Sequence, residues 1–351
     1  MKNIKILDTT LRDGSYATNF SFSKEETSLI CNQLQKAGIE FIEIGHGVGF
    51  GGSQKGYGSA KQSDEEYLQA AKSVLKNSKF GMFCIPGIAE LKDLDLASKY
   101  EMDFIRIGTD VTKIPESKEF IKKAKDYGMF VTANYMKSYA LSPKEFADKT
   151  LLSEQYGADV VYVVDSAGGM FGEDLTKYFE EIRKISSIPL GFHGHDNLGF
   201  SISNSILAAE LGFELIDSSL QGLGRSSGNA STEVLVAALT KKGFDTGINF
   251  RKILEIGVKN IKSKTSKGKM PLDIVAGFSD FHSSYMHHIE KMSKKYNVDP
   301  ISLMIEITKI DKIDLDINTL EKIAKEMPPI NELDENEFNF EQYVGGEQDK
   351  I

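Results

Sequence analysis

"GFHGHDNLG", residues 191–199, sets an apolar run, two histidines two apart and an aspartate directly ahead of a helical pattern. The first half is strand-like, and a side-chain period of two points His193 and His195 the same way. The second half opens a helix, so the stretch reads as the junction of a βα unit. The same junction recurs along the chain. Strands are expected at Ile4–Leu7, Phe41–Gly45, Phe80–Ile85, Phe104–Ile107, Phe130–Asn134, Val160–Val164, Leu190–His195 and Leu215–Ser219, each followed by a helix-length segment. Ser23-Lys-Glu-Glu26, Ser63-Asp-Glu-Glu66 and Ser142-Pro-Lys-Glu145 pair an N-cap serine with a glutamate three residues on, so each can satisfy a free backbone N–H. Eight such units, each about the size of a βα repeat, predict an α/β fold, a (β/α)₈ TIM barrel, with an open doubly wound sheet as the alternative.

Past residue 265 the pattern changes. "FSDFHSSYMHHIEKMSKKYNV" (278–298) and "LMIEITKIDKIDLDINTLEKIAKEM" (303–327) are helical, and "PPINELDENEFNFEQ" (328–342) reads as an exposed acidic connector. The expected division is a catalytic barrel over 1–265 and a helical C-terminal region with an acidic tail over 266–351. A net charge of -9 with scattered Lys and Arg argues against nucleic acid as a partner. No apolar stretch reaches the roughly 20 residues a bilayer span needs. The N-terminus runs straight into a strand without a signal peptide, so a cytoplasmic protein is expected. Cys31 and Cys84 are too few for a disulfide framework or a thiolate metal site.

A barrel of this kind carries its site at the C-terminal ends of its strands. The polar clusters fall there: "LDTTLRDGSY" (7–16), "EIGHG" (43–47), "VDSAGG" (164–169), "HGHDN" (193–197) and "SSLQGLGRSSGN" (218–229). His193 and His195, facing the mouth together, need one carboxylate to complete a metal site, and Asp13 lies just past a strand two places away around a closed ring. The alternative is a histidine pair held by ordinary hydrogen bonds. Nitrogen and oxygen ligands without thiolate suit Mn²⁺, Mg²⁺, Co²⁺, Zn²⁺ or Fe²⁺. Arg12 either stabilises an oxyanion in the same site or forms a salt bridge at the rim. Asp196 alternates to the opposite face and is expected to orient or cap. "GHGVGFGGSQKGYGSA" (45–60) is too irregular for a nucleotide loop and reads as a flexible cover offering Lys55 and Tyr57. "GLGRSSGN" (222–229) can bind an anion through loop amides, with Arg225 beside them. His46 is a candidate substrate contact and a reserve base.

"LDTTLRDG", "GFHGHDNLG" and "GLGRSSGNASTE" together resemble the DRE-TIM metallolyase superfamily. Through "HGVGFGGSQKGYG", "VVDSAGGM" and "DSSLQGLGRSSGNA" the chain is most similar to its HMGL-like pyruvate aldolases, the 4-hydroxy-2-oxovalerate aldolase family. "KYN" (295–297) and the terminal "VGGEQDKI" also resemble parts of that family's tail. The resemblance implies a lyase that holds a divalent metal, usually Mn²⁺, on Asp13, His193 and His195, and works through a pyruvate enolate stabilised by Arg12. It implies further that Asn229 lies near or ligates the metal and that Ser166 contacts substrate. The small-molecule partners would be a 2-oxo acid and an aldehyde. The protein partner would be a second copy or an acylating aldehyde dehydrogenase. Two positions depart from the family pattern. Tyr16 stands where the family has its catalytic histidine, and His282, in "HSSY", stands where the family has a tyrosine. If the two have exchanged places, His282 is the better base and Tyr16 the better acid or donor. The other readings are a Claisen-type acyl-CoA condensing enzyme of the isopropylmalate synthase type, a metal-dependent oxygenase and a non-catalytic barrel scaffold. The acyl-CoA lyases' cysteine after the eighth strand is missing from 221–233.

Overall fold

The computed structural model describes residues 2–265 and 271–330. Eight parallel strands close into a barrel: β1 (Lys5–Asp8), β2 (Phe41–Ile44), β3 (Lys79–Cys84), β4 (Phe104–Asp110), β5 (Phe130–Met136), β6 (Val160–Asp165), β7 (Leu190–Gly194) and β8 (Leu215–Ser218). β1 closes the ring on β8 through Lys5–Leu215 to Asp8–Ser218 pairing. The expected strands all occur, with ends shifted by a few residues. His195 falls just beyond β7 and instead forms an isolated bridge with Asn229. One pairing was not anticipated: Lys2–Asn3 adds to Phe244–Asp245 as a small separate sheet under the barrel.

The barrel helices are α1 (Lys24–Ala37), α2 (Asp64–Val74), α3 (Asp93–Lys99), α4 (Lys118–Asp126), α5 (Pro143–Tyr156), α6 (Gly172–Arg183), α7 (Ser201–Leu211) and α8 (Thr232–Lys241). The capping boxes at Ser23, Ser63 and Ser142 all form, starting α1, α2 and α5. Asp196 starts α7, where its Oδ1 accepts from Ser201 N at 3.2 Å.

The barrel interior is layered. Leu7, Phe41, Phe104, Val160, Tyr162 and Leu215 pack an apolar plug toward its N-terminal end. Above the plug, the inward positions two residues on carry charge: Glu43 on β2, Arg106 on β4 and Asp217 on β8, all buried. Gly191 opposes Tyr162 in register, and a Cβ there would lie 2.3 Å from the tyrosine ring.

Among the described residues, four α-helices follow the short α9 (Phe250–Ile256): α10 (Pro271–Ser279), α11 (Met286–Tyr296), α12 (Pro300–Thr308) and α13 (Ile317–Glu326). They share a core of their own built on Leu272, Phe281, Ile289, Leu303, Met304 and Leu320. This unit sits on the barrel's C-terminal rim. Asn197 Nδ2 donates to Asp273 O at 2.8 Å, and Ser226 Oγ to Asp273 Oδ1 at 2.8 Å. Lys137 Nζ donates to Ile313 O at 2.6 Å. The acidic tail from residue 331 and the terminal "VGGEQDKI" lie outside the described residues. No described helix is long and apolar enough to cross a membrane.

Gly191→Ala should force Tyr162 out of its place beneath His193. The expected outcome is a folded but weaker barrel, with a stability loss of about 1–3 kcal/mol in chemical denaturation. Unchanged stability would mean that the interior has slack at this layer.

Candidate active site

Past β1 the chain makes a tight turn in which Arg12 N and Asp13 N both donate to Thr9 O, at 3.1 and 2.8 Å. Thr9 in turn anchors to β8, its Oγ1 donating to Ser218 O at 3.2 Å. The turn swings Arg12 and Asp13 over the barrel mouth. The loop after β8 arrives from the other side, where Gly224 passes so close that a Cβ would lie 2.4 Å from Asn229 Nδ2 and 2.8 Å from Asp13 Oδ2. Only glycine permits that approach. Asp13 Oδ2 accepts from Asn229 Nδ2 at 2.7 Å and from Arg225 N at 3.2 Å.

Asp13, His193 and His195 offer ligand atoms within 4.8 Å of one another, and all three are buried. The two imidazoles stand edge to face with centroids 5.0 Å apart. His193 Nδ1 meets Asp217 Oδ2 at 2.8 Å. A carboxylate accepts only, so Nδ1 carries the proton and Nε2 presents its lone pair to the mouth. Burial pushes His195 down to about 4, against the opposing pull of Asp13, so this ring is neutral near pH 7. Burial would raise the Asp13 carboxyl, but Arg12, His195 and His193 outweigh it and hold it well below the usual carboxylate range. His195 Nδ1 and Asn229 Oδ1 are buried without a hydrogen-bond partner among the described residues. Two imidazoles facing one point, an ionised carboxylate and unanswered buried polar atoms fit a divalent cation.

A chain of buried charges ties these side chains together, and most of it was missed in the sequence. Arg12 Nη1 donates to Asp13 Oδ1 at 2.7 Å and Arg12 Nε to Glu43 Oε2 at 2.8 Å. Arg106 Nη1 reaches the same Glu43 oxygen at 2.8 Å, and its Nη2 binds Asp217 Oδ2, the oxygen that holds His193. Arg12 is therefore both a salt-bridge partner and a lining group of the cavity. Its guanidinium also lies 4.8 Å from the Phe83 ring centroid. Glu43 and Arg106 left a signal in the sequence: "FIEI" (41–44) and "FIRI" (104–107) each put one charge, of opposite sign, at the third place of an otherwise apolar strand.

Arg12, Asp13, Tyr16, Ser166, His193, His195, Arg225 and His282 all line one cavity of about 430 Å³ at the barrel mouth. Asn229 stands behind Asp13. Ser166 Oγ accepts from Lys137 N at 2.9 Å. Lys137 itself sits in the left-handed region at φ 57°. Tyr16 is buried, and Gly47 lies against its ring. Burial raises its phenol, opposed by the Arg225 cation. His282 reaches the cavity from the turn before α11, so the C-terminal unit supplies part of the wall. Burial first, then Arg225 and Lys137, push His282 well below the usual imidazole range.

His46 is placed otherwise. It stacks on Phe20 at 4.0 Å, its Nδ1 accepts from Val48 N at 3.2 Å and its Nε2 meets Gly58 O at 3.1 Å. Both ring nitrogens are engaged in holding the glycine-rich loop, and the ring is absent from the cavity wall. From that loop Tyr57 lines the cavity, while Lys55 turns outward to Glu90 at 3.2 Å.

The HMGL-like family matches residues 3–259. The chain belongs to the HMGL-like family. It is 36% identical to 4-hydroxy-2-oxovalerate aldolase of Carboxydothermus hydrogenoformans over 333 residues, 94% of this chain and 99% of that protein. It is also 36% identical to the enzyme of that name from Pelotomaculum thermopropionicum, over 87% of this chain and 90% of that one. Among solved structures it is similar to the carboxyl transferase domain of Rhizobium etli pyruvate carboxylase with pyruvate and biocytin. There the TM-score is 0.74 at 16% identity, covering 93% of this chain and 60% of that one. That likeness concerns the fold.

Asp13→Ala and His193→Ala should each lose tightly bound divalent metal, measured by equilibrium dialysis with elemental analysis, with the barrel still folded by circular dichroism. Full metal occupancy in both variants would remove the cluster from consideration.

Proposed function

We propose that this HMGL-like protein is a divalent-metal-dependent aldolase of the 4-hydroxy-2-oxovalerate aldolase type, a lyase working on a 2-oxo acid through a pyruvate enolate. The observation that carries this reading is the convergence of Asp13, His193 and His195 with the Arg12 guanidinium in one cavity. Asp13, His193 and His195 would hold the cation, for which we assign Mn²⁺, with Mg²⁺, Co²⁺ and Zn²⁺ compatible with the same donors. A divalent cation there supplies Lewis-acid polarisation of the 2-oxo acid's carbonyl.

In the cleavage direction the C4 hydroxyl gives up its proton, the C3–C4 bond breaks and its electron pair moves onto the carbonyl oxygen as the enolate. The aldehyde leaves, and protonation at C3 gives pyruvate. Arg12 faces the developing oxyanion with a charge it cannot lose, and Glu43 fixes its orientation from behind. We assign the base to His282. Its ring is oriented by the turn that carries it: Nδ1 accepts from Ser284 N at 3.2 Å and lies 2.7 Å from Ser284 Oγ. Tyr16, neutral because its phenol is raised, is the hydrogen-bond donor across the cavity. Ser166 is assigned to the substrate carboxylate, and Asn229 to holding Asp13 in place. This reading also treats the barrel over 1–265 and the helical region from 266 onward as separate units. The second unit completes the site by delivering His282.

The test is metal-dependent exchange of pyruvate methyl protons in D₂O. Exchange should occur with Mn²⁺ and stop on chelation; its absence in the Mn²⁺-loaded protein would contradict the assignment. His282→Asn should slow exchange by about 100-fold or more while metal content stays. Because the folded imidazole is depressed, the base is still unprotonated at the pH ~6.5 where a free imidazole is half charged. At saturating Mn²⁺ the acid limb of kcat/KM should therefore lie below pH ~6.5.

A further inference from the structure

Arg225 lies along the cavity wall, on the loop after β8, and is only 9% exposed. Its guanidinium carbon is 4.8 Å from the Tyr16 ring centroid. Its Nε and Nη2 are buried with no hydrogen-bond partner among the described residues. The two other arginines of the mouth are each bound by two carboxylates. Lys137 is answered by Ile313 O and by Asp110 at 3.4 Å. Asp13 is close to Arg225, but its oxygens are taken up by Arg12, by Asn229 and by the backbone N–H of Arg225 itself.

A guanidinium keeps its charge, and burying it without a counter-charge is costly. Its planar fork matches a carboxylate or a phosphate. In this fold the loops after the seventh and eighth strands are a favoured place for such anions. The placement also says which part of a substrate is read. Arg225 lies over the Tyr16 ring and lines the same cavity as His282. Those two residues are assigned above to proton transfer at the carbinol oxygen, whereas Arg12 and the metal cluster take the 2-oxo acid head.

We infer that Arg225 is a specificity residue that binds an anionic group, carboxylate or phosphate, on the aldehyde-derived half of the substrate. The inference rests on the aldolase reading for the 2-oxo acid half and departs from the relatives' named substrate in the other half. Cleavage of 4-hydroxy-2-oxovalerate releases a neutral aldehyde, whereas the physiological aldehyde here carries a negative charge.

The experiment measures aldol addition of pyruvate by the Mn²⁺-loaded full chain to paired aldehydes of similar length. Succinic semialdehyde against pentanal probes a carboxylate; glyceraldehyde 3-phosphate against glyceraldehyde probes a phosphate. A charge-assisted bond to a buried arginine should favour the charged member of at least one pair by about tenfold to a hundredfold in kcat/KM. The favoured pair identifies the anion. In Arg225→Gln that ratio should fall toward one. Arg225→Lys, which keeps the charge but loses the fork, should fall between. Ratios near one for both pairs in the unmodified protein would overturn the inference, and so would a preference that survives in Arg225→Gln. Pyruvate proton exchange without any aldehyde separates the two levels. No exchange overturns the aldolase reading and this inference with it; exchange together with flat ratios overturns the role of Arg225 alone.

Discussion

The alternating line of buried charges Asp13–Arg12–Glu43–Arg106–Asp217, ending on the His193 ring, is the constraint on which the site depends. Each member would be costly to bury alone, and removing one partner of such a pair typically costs about 3–5 kcal/mol. Together they fix one another. Arg12 holds Asp13 from one end, and Asp217 sets the tautomer of His193 at the other, so these two side chains are oriented by the same chain of charges. Three carboxylates against two guanidiniums leave one negative charge, a surplus that suits a divalent cation arriving with an anionic substrate.

The barrel makes this chain possible through its period of two. Phe41 and Glu43, Phe104 and Arg106, Leu215 and Asp217 are successive inward positions on β2, β4 and β8, so an apolar layer lies directly beneath an ionic one. The plug excludes water from below, which strengthens each ion pair above it. From above, the C-terminal helices bring His282 to the cavity and are pinned through Lys137 and Asp273. The cavity is thus closed by two units with separate cores.

Much of the fold was legible because its signals are local. Capping boxes start α1, α2 and α5, and apolar runs of strand length recur between helical patterns. The convergence of Asp13, His193 and His195 was legible because strand alternation and the position of a strand end are also local facts. His193 and His195 follow from the period of two, and Asp13 from ring neighbourhood. What could not be read were the distances across the barrel. Glu43 and Arg106 are 63 residues apart, and each alone is just a charge inside a strand. Their pairing exists only once β2 and β4 lie on one closed wall. The same applies to Lys137, whose contacts to the C-terminal unit lie 148 and 176 residues away. His46 went the other way: its position at a strand end promised chemistry, but the turn that follows uses both of its nitrogens.

The most direct test of the central claim is the Mn²⁺ affinity of Glu43→Gln by titration calorimetry. Glu43 is the middle of the chain and is not one of the three cluster ligands. If the buried charges orient the ligands, neutralising it should loosen Arg12 and Arg106 together and weaken Mn²⁺ binding about 10–100-fold in a protein that remains folded. An affinity within about twofold of the unmodified protein, inside the scatter expected when a group has no outer-shell role, would contradict the account.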